Sequence, residues 1–226
     1  MKSELPLEIE KKFLIKMPDL EWIKMNTNCT VANIFQTYLG FKKDGYGDRV
    51  RKMIIDNQTK YYHTSKKSLT DMTRIELENE ITEEEYLNYL RTHRWSKTLF
   101  KTRYIVKENN LKYEIDIYPF WTQTAILEIE LKSEDEQYTL PDFVEVIGDV
   151  TGNKDYSNSS LVSKYLKKKW EKGTKRKSEK GTVLFSEKIR GKIKLPLFLL
   201  FRKENRPLFW LSFRLFFLIF SSFIIF

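Results

Sequence analysis

Leu7-Glu8-Ile9-Glu10-Lys11-Lys12-Phe13-Leu14-Ile15 is the stretch whose reading decides the fold. In an extended strand, successive side chains point to opposite faces. Glu8, Glu10 and Lys12 then share one face, and Leu7, Ile9 and Phe13 share the other, with Lys11 as its odd member. A single strand of this kind says little, because the solvated face of an antiparallel sheet normally alternates polar with apolar. The pattern gains meaning by recurring downstream. Residues 48–55 align Arg49 with Arg51, residues 61–66 align Thr64 with Lys66, and residues 73–81 align Arg74, Glu76 and Glu78. Residues 99–106 align Lys101 with Arg103, residues 112–118 align Glu114 with Asp116, and residues 125–131 align Glu128 with Glu130.

With residues 33–39 these make eight predicted strands, several joined by hairpin-length turns such as Asn109-Asn110. Residues 18–25 read as a short helix. Thr82-Glu83-Glu84-Glu85 is a capping box that opens a helix ending near His93. Residues 140–147 are expected to form a helix with Pro141 near its start, followed by a turn at 148–153 and a helix over 159–170. The expected class is α+β: an eight-stranded antiparallel β-barrel with helices packed outside.

Eight carboxylates and seven cations share the charged faces, and they come as like pairs at i, i+2. Like charges side by side destabilise a sheet unless a counter-charge is bound between them. Arg and Lys pairs suit a polyanionic phosphate, which a guanidinium can grip through two oxygens at once. Paired carboxylates suit a hard divalent cation such as Mg²⁺ or Mn²⁺. Turned inward in a closed barrel, this face lines a lumen able to hold a metal–polyphosphate complex. A non-catalytic phosphate-binding module is the competing class, but anion binding alone gains nothing from eight acids. His63 and His93 are too few and too scattered for a histidine-based metal site.

The net charge of +9 does not mark a nucleic-acid binder. Residues 167–206 hold 15 Lys/Arg against 4 Asp/Glu, and Arg214 follows, which leaves the first 166 residues at −3. The domain division expected is 1–170 as the barrel, 171–206 as a basic linker or disordered segment and 207–226 as an apolar tail. That tail is 20 residues long with Arg214 as its single charge. It reads either as a membrane anchor or as a non-native extension. The one cysteine, Cys29, and a start without an apolar leader suit a reducing, cytoplasmic location. Membrane contact is expected only through 207–226, no nucleic acid is expected as partner, and a homodimer is left open.

Glu8-x-Glu10-x-Lys12 also matches the ExExK signature of the CYTH family, the triphosphate tunnel metalloenzymes. The chain resembles that family further, in order, at Gln36-Thr37-Tyr38-Leu39, Arg49-x-Arg51, Thr64-x-Lys66, Arg74-x-Glu76-x-Glu78, Lys101-x-Arg103, Glu114-x-Asp116, Glu128-x-Glu130 and Tyr156-Ser157-Asn158. The resemblance spans about residues 4–166. It implies an eight-stranded tunnel that binds a triphosphate and Mg²⁺ or Mn²⁺, a scaffold shared by tripolyphosphatases, thiamine triphosphatases and class IV adenylate cyclases. On that basis Lys12, Arg49, Arg51, Lys66, Arg74, Lys101 and Arg103 are expected to bind substrate. Glu8, Glu10, Glu114, Asp116, Glu128 and Glu130 are expected to hold metal, and Lys101, Glu76 and Glu78 to serve catalysis. The expected activity is metal-dependent hydrolysis of tripolyphosphate or a small organic triphosphate, with adenylate cyclase or thiamine triphosphatase as the alternative.

Overall fold

The computed structural model describes residues 6–94 and 96–176. The expectations for 177–206 and for the apolar tail at 207–226 lie outside the described residues. Eight strands form the barrel: β1 (Leu7–Lys16), β2 (Cys29–Phe41), β3 (Gly47–Ile55), β4 (Gln58–Ser68), β5 (Thr73–Ile81), β6 (Thr98–Glu108), β7 (Leu111–Ile117) and β8 (Thr124–Leu131). Their order is β5-β4-β3-β2-β6-β7-β8-β1, and a β5–β1 pairing closes the ring. Every pairing is antiparallel. The closing seam is short, with Leu7 opposite Ile75, Glu8 opposite Arg74 and Ile9 opposite Thr73.

Two of the hairpins turn on paired residues in the left-handed region: Asp56-Asn57 between β3 and β4, and Asn109-Asn110 between β6 and β7. Asn and Asp tolerate that conformation better than other residues carrying a β-carbon. Helix α1 (Leu20–Asn26) starts where the Asp19 carboxylate accepts from the amides of Glu21 and Trp22. Helix α2 (Glu83–Thr92) carries the expected capping box, with Thr82 and Glu85 each bonding the other's amide.

The two strand faces go to different places. Outward residues of β1, β6, β7 and β8, among them Phe13, Ile15, Tyr104, Val106, Ile115, Leu127 and Ile129, form an apolar layer with Ile23 of α1 and the segment 138–144. Lys11, the charged member of that outward face, is held by Asp149 at 3.2 Å.

Residues 140–147 do not form the expected helix. Beyond Ile9 one edge of β1 runs past the end of β5, and its backbone groups need partners there. A ninth strand, β9 (Val146–Asp149), supplies them by pairing with Phe13, Leu14 and Ile15. Leu140, Phe143 and Val144 ahead of it pack onto the outward apolar layer. Lys12 is then bonded through its backbone to Val150 and Thr151.

A 3₁₀ turn (Lys154–Tyr156) leads into helix α3 (Asn158–Arg176). Leu161 and Val162 of α3 pack with Leu99, Ile126 and Leu14, residues that share the inward faces of Lys101, Glu128 and Lys12. Thus α3 lies against the end of the barrel, where its inward face turns apolar. Among the described residues, no helix is long and apolar enough to cross a membrane.

Candidate active site

The inward positions of the strands gather as the period-two reading predicts. A cavity of about 450 Å³ is lined by Glu8, Glu10 and Lys12 from β1, Gln36 and Tyr38 from β2, Arg49 and Arg51 from β3, and Lys66 from β4. The wall continues with Arg74, Glu76 and Glu78 from β5, Lys101 and Arg103 from β6, Lys112 and Glu114 from β7, Glu128 and Glu130 from β8, Pro6 and Leu7 at the start of β1, and Ser157, Asn158 and Ser159 around the start of α3. Its size is that of an ordinary small-molecule site. Of the residues expected at the site, Asp116 alone is missing from the wall. It sits just behind, fully buried, in contact with Lys101 and Arg103.

Register explains the pairings. Lys12 faces Glu128 across the β1–β8 ladder, Glu8 faces Arg74 across β1–β5, and Lys66 faces Glu76 across β4–β5. The Lys12 ammonium lies 2.8 Å from Glu128 and 3.3 Å from Glu10, so one cation bridges two acids. Arg74 reaches both Glu8, at 3.1 Å, and Glu10. Lys66 bonds Glu8 at 2.7 Å and also pairs with Glu76. Arg49 and Arg51 pair with Glu76 at 3.3 Å and Glu78 at 2.5 Å. Arg103 is the hub of the far wall, touching Asp116, Glu128 and Glu114.

Burial shifts these groups strongly. Burial depresses the Lys101 ammonium to about 8, with the Arg103 charge adding to it and Asp116 and Glu128 opposing. Burial, with Arg49, also lowers Lys66 and Arg51. Burial works against Lys12 too, but Glu128 and Glu10 outweigh it and raise that ammonium above its ordinary value. Glu128 goes the opposite way: burial favours its protonated form, yet Lys12, Arg103 and Lys101 hold it well below the usual carboxylate range. Burial raises the Tyr38 phenol to about 12.

Two features bear on what the cavity can bind. The Nε donors of Arg49 and Arg51 are buried and have no hydrogen-bond partner among the described residues. An unpaired buried N–H is costly, and an anion rich in oxygens would satisfy both. The carboxylates, by contrast, lean on cations, and among the described residues no group of three acids converges as a ready metal cage. The donor set nevertheless fits a hard cation. Glu10 and Glu128 come together on one ammonium, and Mg²⁺ is typically held by one or two carboxylates plus substrate phosphates.

Sequence reasoning left unassigned Lys112, Gln36, Tyr38 and the serines flanking Asn158, all of which line the cavity. Gln36 and Tyr38 share the inward face of β2 and bond to each other, so parity alone would have found them. His63 lies on the outward side, stacked on Tyr89 and 3.4 Å from Asp48. His93 caps the end of α2.

No protein-family model matches the chain, and no curated protein matches it. Among solved structures, it is similar to the inorganic triphosphatase NE1496, with 24% identity over 69% of this chain and 93% of that one and a TM-score of 0.42. It is similar to the PH1012 protein from Pyrococcus horikoshii OT3, with 26% identity over 57% and 80% and a TM-score of 0.43. It is also similar to HpAC1 from Hippeastrum, a protein with a dominant triphosphatase activity, with 13% identity over 83% and 98% and a TM-score of 0.32.

Proposed function

We propose that the barrel is a divalent-cation-assisted phosphoanhydride hydrolase acting on inorganic triphosphate or a small organic triphosphate. The observation that carries this reading is the pair of buried, partnerless Nε donors on Arg49 and Arg51, in a cavity also lined by Lys12, Lys66, Arg74, Lys101, Arg103 and Lys112. So many cations reaching inward from six strands suit an extended polyanion rather than a single carboxylate or phosphate.

The acids explain why a metal belongs in the same reading. Counting Asp116, eight carboxylates balance the eight cations, so the lumen offers a bare polyanion little net attraction. A triphosphate carrying Mg²⁺ or Mn²⁺ brings charge of both signs, and the ion pairs can exchange partners with it. Glu10 and Glu128 would hold the cation, with Glu8, Glu114 and Glu130 along the same wall. When bound, it would supply neutralisation of phosphate oxygens and alignment of an attacking water. The arginines and lysines grip the oxygens of the transferred and leaving phosphates and stabilise the charge that builds during in-line displacement. Glu76 and Glu78, on β5 next to β1 in the ring, orient Lys66, Arg49 and Arg51.

The test is phosphate release by the full chain from tripolyphosphate, thiamine triphosphate and ATP, with Mg²⁺, Mn²⁺ or EDTA. The ATP reaction is also analysed for cyclic AMP. Metal-dependent phosphate release, lost in Glu10→Gln, is the expected result. Cyclic AMP with pyrophosphate would replace hydrolase by cyclase on the same scaffold. Turnover that survives both EDTA and Glu10→Gln would overturn the metal assignment.

A further inference from the structure

Asp116 is buried to zero exposure, and its two oxygens are engaged by three donors. Arg103 donates Nε to Oδ1 at 2.6 Å and Nη2 to Oδ2 at 2.7 Å, and Lys101 donates its ammonium to Oδ2. The two arginine bonds form a bidentate fork, the geometry that fixes the plane of a guanidinium. Register makes the fork inevitable: Asp116 stands directly opposite Arg103 in the β6–β7 ladder. The remaining reach of Arg103 is toward Glu114 and, at 2.6 Å, Glu128, both on the cavity wall.

Among the site acids, then, Asp116 differs in kind. Glu128 and Glu114 border the cavity and can trade a guanidinium for a ligand, whereas Asp116 does not border it and has its oxygens occupied. We infer that Asp116 is a positioning residue, which clamps Lys101 and Arg103 so that both stay aimed into the cavity, and is not a ligand of the divalent cation. When Glu114 and Glu128 turn to a bound cation, Arg103 loses two of its three acidic partners. The Asp116 fork then keeps its plane fixed and leaves the freed N–H groups for phosphate oxygens. This inference rests on the triphosphate reading of the cavity.

The test compares Asp116→Asn, Asp116→Glu and Glu128→Gln in the full chain. Binding of Mn²⁺ together with a non-hydrolysable methylene-bridged triphosphate is followed by calorimetry and by the Mn²⁺ paramagnetic resonance signal. Turnover is measured in parallel. Asp116→Asn should leave the Mn²⁺ coordination signal of the wild type intact and lower kcat about 100-fold, the scale of a misplaced catalytic group. Asp116→Glu keeps the charge, serves as the second variant should Asp116→Asn fail to fold, and should show the same intact Mn²⁺ signal with a smaller loss of kcat. Glu128→Gln should weaken Mn²⁺ binding at least tenfold. Loss of Mn²⁺ binding in either Asp116 variant comparable to that of Glu128→Gln would overturn the inference. Wild-type protein that binds neither Mn²⁺ nor the analogue would overturn the triphosphate reading itself, and this inference with it.

Discussion

Glu128→Gln tests the electrostatic account of the lumen most directly. The carboxylate is buried and lies 2.8 Å from the Lys12 ammonium and 2.6 Å from Arg103. At an effective dielectric constant of about 20, each contact corresponds to roughly 6 kcal/mol of gross attraction, offset by several kcal/mol of desolvation for each buried ion. Glutamine keeps the shape and one acceptor but not the charge. Lys12 would still have Glu10 at 3.3 Å, and Arg103 would still have Asp116 and Glu114. The loss should therefore sit at the low end for a broken buried pair, about 3 kcal/mol, or a fall in Tm of roughly 6–12 °C for a domain of this size. Linkage adds a signature. The folded-state pKa of Glu128 is depressed, so its contribution is present above the unfolded value and is lost as pH falls through the folded one. Urea unfolding of both proteins in EDTA should show the full gap at neutral pH and a narrowing gap on acidification below about pH 4. A gap that stays constant across this range, or no gap at neutral pH, would refute the assignment of Glu128 as a buried, paired anion.

Arg51→Lys keeps the charge but removes the planar fork and its partnerless Nε, so the KM for triphosphate should rise about tenfold or more with a smaller change in kcat; steady-state kinetics decides it. Lys101 holds its proton only up to about pH 8, so triphosphate affinity measured by calorimetry should decline as pH rises through that value, and Lys101→Met should flatten the decline. Gly152 has φ +71, and a β-carbon there would lie 2.5 Å from the Asp71 side chain. Gly152→Ala should thus lower stability by about 1–3 kcal/mol, and thermal melting would expose an error if the variant were as stable as the parent.

The barrel and most of the residues that line its lumen were legible because both depend on a local, period-two signal. A strand that faces a charged lumen shows its facing on every second residue, and Glu8, Arg49, Lys101 and Glu128 all announce themselves this way. Residues 140–147 depart from the expected helix because what decides them is distant: the backbone of β1 past Ile9 needs a partner, and Val146–Asp149 supplies it. Asp116 was read as equivalent to Glu114 because both share a face. Which of them borders the cavity depends on how far along the ladder the lumen extends, and alternation carries no information about that. The position of α3 was hidden for a related reason. Leu14, Leu99 and Ile126 are inward apolar residues, and a sheet face that changes from charged to greasy along its length signals a covered end only once the strands are registered.

The two-sided pairing of β1 also bears on how the chain is made. Its main partner is β8, with Ile9 opposite Leu131 and Lys16 opposite Thr124, and its short seam partner is β5. The first strand of the barrel therefore waits for more than a hundred further residues before β8 is made, on the order of 10 s of synthesis at cellular rates. Throughout that interval the edge that will pair with β8 is open, and an unpaired strand edge is a template for other chains. The alternating acids and lysines that later line the lumen are, during translation, charges on an exposed strand. They repel casual partners at the stage when the nascent chain is most vulnerable to aggregation.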